Sequence, residues 1–280
     1  MNTNSNTYTV IYSTILVVIV AAVLAFAATA LKGKQEENVK VDTISQILTA
    51  AGYLHDTDEA KNVPTDSTDA NLSILEIYKK HIENALLVTN DGEPWKDKDL
   101  DEETCEILTT SDLKEQMLAD DADKELPVYI FENGVTVIPC YGAGLWGPIW
   151  GYIGIKDDLT ITKACFGHKG ETPGLGAKIT DMPEVFADKF TGKTITAEIL
   201  VAKNVTGEND VNAISGATIT STAAGVMVNQ WLGFYQGYFG AEEQPCCADC
   251  QECGDACCDE AEQCTEACCQ TAETAEVSNN

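Results

Sequence analysis

Five hydroxyl side chains surround two glycines in the stretch NAISGATITSTAAG, which runs from Asn212 to Gly225. The residues that follow have apolar side chains at helical spacing on one face: Ala224, Met227, Val228, Trp231, Tyr235 and Tyr238. Ser215 to Ser221 therefore lie at a helix N-terminus, where the first four N–H groups lack intrahelical partners and the dipole is positive. A phosphate is stabilised at such a place, and Gly216 allows close backbone approach. The alternative is a Ser/Thr N-cap that binds no ligand.

A second unusual stretch, CYGAGLWGPIWGYIGI, spans Cys140 to Ile155 and contains five glycines, two Trp and two Tyr. Such a glycine density indicates backbone packed closely against a neighbour or a ligand. Trp146 and Trp150 could flank a flat aromatic ligand. The alternative is a hairpin corner with buried Trp.

The third stretch, GHKGETPGLGAKI, spans Gly167 to Ile179 and is typical of a functional loop. Pro173-Gly174 predicts a turn, and polar side chains surround the apolar Leu175. These polar residues are Glu171, Thr172 and Lys178. A plain connecting loop is the alternative.

Strand and helix patterns around these stretches predict an α+β fold with a mainly antiparallel sheet and flanking helices. VYIFENGVTVIP predicts a hairpin around Asn133-Gly134, and WGYIGIKDDLTITKACFGH predicts another around Asp157-Asp158. KTITAEILVAK, 193–203, is expected to form a strand and DMPEVFADKF, 181–190, a short helix capped by Asp181.

The remaining segments before the sheet are expected to form helices or to lie on the surface. QEENVKVDTISQILTAAG predicts a helix that ends near Gly52. Residues 71–88 could form a helix or a pair of strands, and a helix is favoured for the first half. The charged region 97–124 is expected to lie on the surface.

No charged residue occurs from Tyr8 to Leu31, which exceeds the roughly 20 apolar residues that cross a bilayer. An uncleaved single-span anchor is favoured over a cleaved signal peptide, because no basic residue precedes the long apolar run. Lys32, Lys34 and Lys40 follow the span, and the positive-inside rule alone would keep the large domain in the cytoplasm.

The formal net charge is −28 and the chain contains 17 basic residues, all of them Lys. This acidity argues against nucleic acid as a partner, since neutralisation of phosphates dominates that affinity. Without arginine, any phosphate must be bound by Lys, hydroxyls or backbone N–H groups.

The last 40 residues, 241–280, contain nine of the 12 cysteines, eleven acidic residues and no Lys or aromatic residue. Such a tail cannot build an apolar core. Its cysteines include a C-x2-C-x2-C-x3-C run that matches a bacterial ferredoxin pattern without the following Pro. The run consists of Cys247, Cys250, Cys253 and Cys257. An iron–sulfur cluster, zinc, disulfides or a solvated tail with no site all remain open. The expected organisation is a tail (1–7), a transmembrane helix (8–31), one α+β domain (39–240) and this tail.

The three stretches, in this order after a single N-terminal span and KQEENVKVDTISQIL, resemble the C subunit of the sodium-translocating NADH:quinone reductase. The resemblance covers about residues 8–240, and the G subunit of the Rnf ferredoxin:NAD reductase shares the general layout. GLWGPIWGYI and ETPGLG resemble the former.

The resemblance implies an FMN-binding domain with FMN attached covalently by a phosphoester to the last Thr of Ser-Gly-Ala-Thr. Here that residue is Thr218. The resemblance places the other candidate FMN-binding residues around it: Ser215, Gly216 and Ala217 in the turn, Thr220 and Ser221 at the phosphate, and Thr172, Gly174, Leu175 and Trp146 near the ring. One departure is Asn212, since the signature read by the flavin transferase has Asp three residues before the Ser.

By resemblance, the chain is an electron-transfer subunit of a multi-subunit enzyme, with its soluble domain on the periplasmic side of the inner membrane. Other subunits of the reductase and the membrane are the expected partners. The flavin performs the redox chemistry, and no catalytic side chain is predicted. The alternatives are an Rnf-type subunit, a membrane-anchored metal-binding protein that acts through its tail, and a degenerate flavin domain that serves as a scaffold.

Overall fold

The computed structural model describes residues 6–55, 62–101 and 104–240. Its main feature is an antiparallel six-stranded sheet in the order β2-β1-β3-β4-β5-β6. The strands are β1 (Ile82–Val88), β2 (Pro94–Asp99), β3 (Leu126–Phe131), β4 (Val135–Ala143), β5 (Pro148–Lys156) and β6 (Ile161–His168). With helices flanking this sheet, the predicted α+β fold class is confirmed.

Both predicted hairpins are present. Gly134 has a φ of +73°, and the Asn133 side chain accepts a hydrogen bond from Val135 N at 3.2 Å in the β3–β4 turn. In the β5–β6 turn, Asp158 Oδ1 accepts from Thr160 N at 3.1 Å. Asx side chains therefore close both turns.

The first helix, α1 (Asn6–Ala50), joins two segments that the sequence divides into an anchor and a following helix. It ends near Gly52, as predicted: Gly52 has a φ of +89°, and Tyr53 N donates to Leu48 O at 2.9 Å. Among the described residues, α1 is the one helix long and apolar enough to cross a membrane. Its side chains are exposed over residues 9–39, whereas Ile44, Ile47 and Leu48 are fully buried in the core.

The long helix α5 (Thr218–Phe234) packs on the sheet face opposite to α1. A Cβ added to Gly142 would lie 3.1 Å from Met227 of α5, whereas one added to Gly154 would lie 2.2 Å from Ala50 O of α1. Trp231 Nε1 donates to Tyr141 O at 2.8 Å. The buried side of α5 contains the apolar positions that the sequence predicts up to Trp231. Tyr235 is buried at the C-cap of α5, and Tyr238 follows in α6 (Gln236–Gly240) and is half-buried.

The segments before β3 are more regular than expected. Helix α2 (Ile74–His81) runs directly into β1, which confirms helix for the first half of residues 71–88. Region 97–124 contains helix α3 (Thr110–Leu118) and buries Leu113 and Lys124, so its predicted surface position is only partly right.

The strand predicted over 193–203 is wrong except for β7 (Val201–Ala202), which pairs in parallel with β8 (Val211–Asn212). Side chains replace the strand ladder here. Asn209 Nδ2 donates to the carbonyl oxygens of residues 194, 197 and 198. Asn229 of α5 bonds both the N–H and the carbonyl of Ile199. These backbone groups are satisfied without a neighbouring strand.

The helix predicted over 181–190 is also wrong as a single element. Asp181 ends the short α4 (Lys178–Asp181) instead of capping a helix, and two separate 3₁₀ turns follow, Pro183–Val185 and Ala187–Phe190. Phe186 has φ −141° and ψ −62°, which breaks the helical path. The break lets its ring pack with Phe166 and Phe190, at centroid distances of 5.5 and 5.3 Å.

Candidate functional site

The Ser-Gly-Ala-Thr turn lies directly before α5, as predicted, and Thr218 is the first residue of that helix. Gly216 has a φ of +81°, and Ala217 N donates to Ile214 O at 3.0 Å. The Ser221 hydroxyl stabilises this turn because it donates to Ala217 O at 2.9 Å and accepts from Ile214 N at 3.0 Å.

None of the nearby hydroxyls caps α5. The N-cap residue is Ala217, which has no side-chain hydrogen bond to the helix. Ser215 is exposed and Thr218 is half-buried at the helix start. A ligand-free Ser/Thr cap would leave a capping hydrogen bond at this position. Within the described residues, the N-terminus of α5 therefore lacks the side-chain cap that would satisfy its first-turn N–H groups.

Thr220 and Ser221 are buried, with 1% and 0% of their surface exposed. Thr220 donates its hydroxyl proton to Glu171 Oε2 at 2.7 Å, and Ser221 donates to Ala217 O. Their predicted contact with a phosphate stays a prediction. In the described arrangement their protons are already used to hold the turn and the neighbouring loop.

Glu171 connects the three glycine-rich stretches. Its carboxylate is 4% exposed, and Oε1 accepts from Trp146 N at 2.9 Å while Oε2 accepts from Thr220. Sequence reasoning noted Glu171 as one polar residue of a loop and did not assign it to the site. Its position within ETPGLG was the available signal.

The 167–179 loop also reaches the Ser-Gly-Ala-Thr turn through Leu175. A Cβ added to Gly216 would lie 3.1 Å from Leu175 Cδ2. Leu175 N and Ala177 N both donate to Thr172 O at 3.1 Å, and Gly174 adopts a φ of +74° in the predicted turn. Of the predicted positions in this loop, Leu175 therefore lies next to the turn before α5, and the predicted flavin contacts of Thr172 and Gly174 stay predictions.

Large apolar side chains are exposed around this meeting point. Trp146 is 68% exposed and Ile219 is 63% exposed; Leu145 and Leu175 are also exposed. Single exposed apolar residues are ordinary, whereas several on segments that contact each other indicate a binding surface. A flat aromatic ring could cover this surface, with a phosphate at the start of α5.

Trp150 does not share this surface. Its indole ring lies over Gly167, where an added Cβ would be 2.3 Å from Cε2, and its Nε1 donates to Gln46 of α1 at 2.9 Å. Trp150 thus belongs to the α1 side of the sheet, where with Tyr141 it lines an open cleft of about 740 Å³ beside α3. The predicted flanking of one ligand by Trp146 and Trp150 stays a prediction, which the contact of Trp150 with α1 does not support.

A second polar cluster, distant in sequence, was not predicted. His81 is 7% exposed; its Nε2 lies 2.7 Å from Asp69 Oδ2 and its Nδ1 lies 2.5 Å from Glu132 Oε1. Lys80 also bonds Asp69, and Tyr53 stacks on His81 at 4.2 Å. No local motif signals this cluster, because its members are 12 and 51 residues apart.

The electrostatics of this cluster have clear causes. The Lys80 hydrogen bond, followed by that of His81, lowers the pKa of Asp69 against the opposing effect of burial. Burial raises the pKa of Tyr53 to about 12, with Glu132 adding to the effect. The cluster ties α2 to the end of α1 and to the β3–β4 turn, so its role is structural.

The predicted tail ligands Cys247, Cys250, Cys253 and Cys257 lie outside the described residues. Within the described ranges, no group of three His, Cys, Asp or Glu side chains is arranged to hold a metal ion. Cys140 and Cys165 are buried, and a buried cysteine commonly serves as a small core residue.

Comparison with known proteins agrees with this geometry. The family model described as "FMN-binding domain" matches residues 144–233, which include the candidate site. The C subunit of the Na(+)-translocating NADH-quinone reductase of Pasteurella multocida is 30% identical over 248 residues, covering 79% of this chain and 89% of that protein. The chain belongs to the family of these C subunits.

A solved structure supports the same family assignment. The crystal structure of the same subunit from Parabacteroides distasonis is 31% identical, with a TM-score of 0.58, covering 76% of this chain and 98% of that one. The G subunit of the Na(+)-translocating ferredoxin:NAD(+) oxidoreductase complex of Acetobacterium woodii is 39% identical over 118 residues, 40% of this chain and 56% of that protein. The resemblance to the C-subunit family is confirmed.

Proposed function

We propose that this chain is the electron-transfer subunit of a membrane-bound sodium-translocating NADH:quinone reductase and carries FMN covalently on Thr218. The observation that carries the proposal is the uncapped start of α5. A half-buried Thr218 stands there between first-turn N–H groups that no described side chain caps and an exposed apolar surface. Bound FMN would supply one-electron and two-electron redox chemistry, and the protein supplies binding and orientation.

The attachment chemistry requires only the Thr218 side chain. Its oxygen would form a bond to the phosphorus of an activated flavin nucleotide, displacing that donor's leaving group as the hydroxyl loses its proton. The first-turn N–H groups and the helix dipole would then stabilise the phosphate charge without arginine. Trp146, Leu175 and Thr172 would lie against the ring system, and Gly216 would admit the phosphate close to the backbone.

The membrane anchor is part of the proposal. The apolar half of α1 has the length to span a bilayer, and the same helix continues into the domain core. We place the anchor in the inner membrane, with the domain on the periplasmic side, beside the other subunits of the complex. The lysines after the span favour the opposite orientation, and partner subunits would have to override that bias.

An Rnf-type subunit is the second candidate, favoured by the 39% identity to the G subunit over 118 residues. Both candidates use the same site, so they differ in the assembly that contains the chain. Purification of the native complex and identification of its NADH- or ferredoxin-oxidising component distinguishes them.

The test of covalent attachment is the intact mass of the full chain made in cells with a working flavin transferase. The wild-type chain is expected to carry one FMN less one water, and Thr218→Ala to lack it. Thr222→Ala is the matched control: it removes a hydroxyl in the same helix that donates to Val201 O at 3.2 Å, and should keep the flavin. A wild-type chain without the added mass overturns the proposal.

A further inference from the structure

A buried carboxylate holds the candidate flavin surface together. Glu171 lies between the β4–β5 loop, whose Trp146 N–H it accepts, and the first turn of α5, whose Thr220 hydroxyl it accepts. Glu171 N in turn donates to His168 Nδ1 at 3.3 Å. One residue thus connects β6, the β4–β5 loop and the start of α5.

Two glycines make room for this carboxylate. A Cβ added to Gly144 would lie 2.5 Å from Glu171 Oε1, and one added to Gly176 would lie 2.3 Å from Oε2. Real Cβ atoms do not approach other atoms so closely, so a larger residue at either position would push the Glu171 carboxylate out of its present place.

Stability alone does not account for Glu171. Within the described part of the chain, no Lys or His lies within ion-pair distance of its carboxylate. Burying a charge without an opposite charge is costly even when its oxygens accept hydrogen bonds. A neutral amide of the same shape could keep both hydrogen bonds without burying a charge.

We propose that Glu171 is a positioning residue for the flavin, and that its buried negative charge lowers the flavin's reduction potential. Its two hydrogen bonds fix the Trp146 loop against the turn of α5 that begins at Thr218. An electron added beside a buried negative charge raises the Coulomb energy in a low-dielectric setting. This inference rests on the proposed function, because it takes the flavin to be attached at Thr218.

The variant Glu171→Gln separates charge from position. The amide oxygen can accept from Trp146 N, and the amide NH₂ can donate to the Thr220 hydroxyl, which also accepts. The shape and both contacts are kept while the charge is removed. Glu83→Gln is the charge control, since Glu83 is exposed on β1, separated from β5 by β3 and β4.

The first readout is the midpoint potential of the flavin in the full chain, measured by spectroelectrochemical titration. Glu171→Gln should raise the potential above that of the wild type at equal flavin content, and Glu83→Gln should leave it unchanged. An unchanged potential in Glu171→Gln overturns the electrostatic part of the inference.

The second readout needs no flavin. Amide hydrogen exchange at Trp146 reports directly on the bond to Glu171, and we would measure it in a Thr218→Ala background. Protection should be lost in Glu171→Ala and kept in Glu171→Gln. Equal protection in Thr218→Ala alone, with Glu171→Ala and with Glu171→Gln overturns the positioning part.

The two readouts also separate this inference from the proposed function. A wild-type chain without flavin ends the proposed function and the electrostatic part together, and hydrogen exchange still decides the positioning part. A flavin-bearing chain with an unchanged potential in Glu171→Gln ends only the electrostatic part.

Discussion

The Asn212 side chain bonds both backbone groups of Val205: Oδ1 accepts from Val205 N at 3.2 Å, and Nδ2 donates to Val205 O at 3.2 Å. An amide can satisfy both groups, whereas a carboxylate only accepts. The residue that departs from the flavin transferase signature therefore has a structural role here. It holds the 203–210 loop to β8, three residues before Ser215.

We predict that Asn212→Asp lowers the free energy of unfolding by about 1 kcal/mol, because a carboxylate cannot donate to the Val205 carbonyl. The same variant restores the carboxylate of the signature and should raise the initial rate of flavin attachment. Thermal denaturation measures the first effect, and a time course of intact mass with the transferase measures the second. An unchanged attachment rate would mean that the transferase does not read this carboxylate.

Two glycines of α5 should respond in opposite ways to the same substitution. A Cβ on Gly225 would lie 2.3 Å from Val201 Cγ2, so Gly225→Ala should destabilise the protein by about 1–3 kcal/mol. Gly233 has no neighbour within 4 Å, and Gly233→Ala should stabilise it by about 0.5–1 kcal/mol through helix propensity. Melting temperatures of the two variants compared with the wild type test this. A change in melting temperature of the same sign in both variants would contradict the close packing of α5 on β7.

The Asp69–His81 cluster should make stability depend on pH in the acid range. The pKa of Asp69 is lowered from its ordinary value of 3.8, chiefly by the Lys80 hydrogen bond. Its stabilisation is therefore present above the unfolded-state pKa and lost as the pH falls below about 4 and through the folded-state pKa. We expect Asp69→Asn to cost about 2–3 kcal/mol at pH 7 and to reduce the loss of stability between pH 4 and pH 3.

The control for this pH series is Asp181→Asn, which removes an exposed carboxylate that forms no ion pair within the described residues. Its melting temperature should follow that of the wild type from pH 7 to pH 3. If Asp69→Asn keeps the full acid sensitivity of the wild type, the cluster is not its source.

A chain that ends at Gly240 should keep both its melting temperature and its flavin. The sheet, α1 and α5 make their described contacts within residues 6–240. Metal analysis of the full and shortened chains tests the tail hypothesis at the same time, since a metal held by Cys247, Cys250, Cys253 and Cys257 would be lost. Loss of flavin from the shortened chain would instead assign the tail a role in attachment.

Local pattern was sufficient for much of the fold. The two hairpins, the end of α1 at Gly52 and the start of α5 depend on turn residues and on apolar periodicity, which act over a few neighbouring residues. The motifs around Trp146, Glu171 and Thr218 were also visible as unusual local compositions. For this reason the α+β class could be predicted, whereas the candidate flavin residues came from the resemblance to the C-subunit family and stay predictions.

The errors occurred where distant side chains replaced local rules. Residues 193–203 have strand composition, but Asn209 and Asn229 satisfy their backbone groups from outside. Residues 181–190 have helical composition, but the backbone leaves the helical conformation at Phe186, whose ring packs on Phe166. In both places tertiary contacts outweighed a weak intrinsic preference.

The sequence by itself determined which residues are available to hold a phosphate and a flat ring, because glycine, hydroxyl and aromatic patterns are local. Only the tertiary structure decided that Thr220 and Ser221 are buried, that Trp150 faces α1, and that Glu171 joins three separate segments. Those outcomes depend on hydrogen bonds between residues that are 25 to 104 positions apart in the sequence. A local sequence pattern does not contain that information.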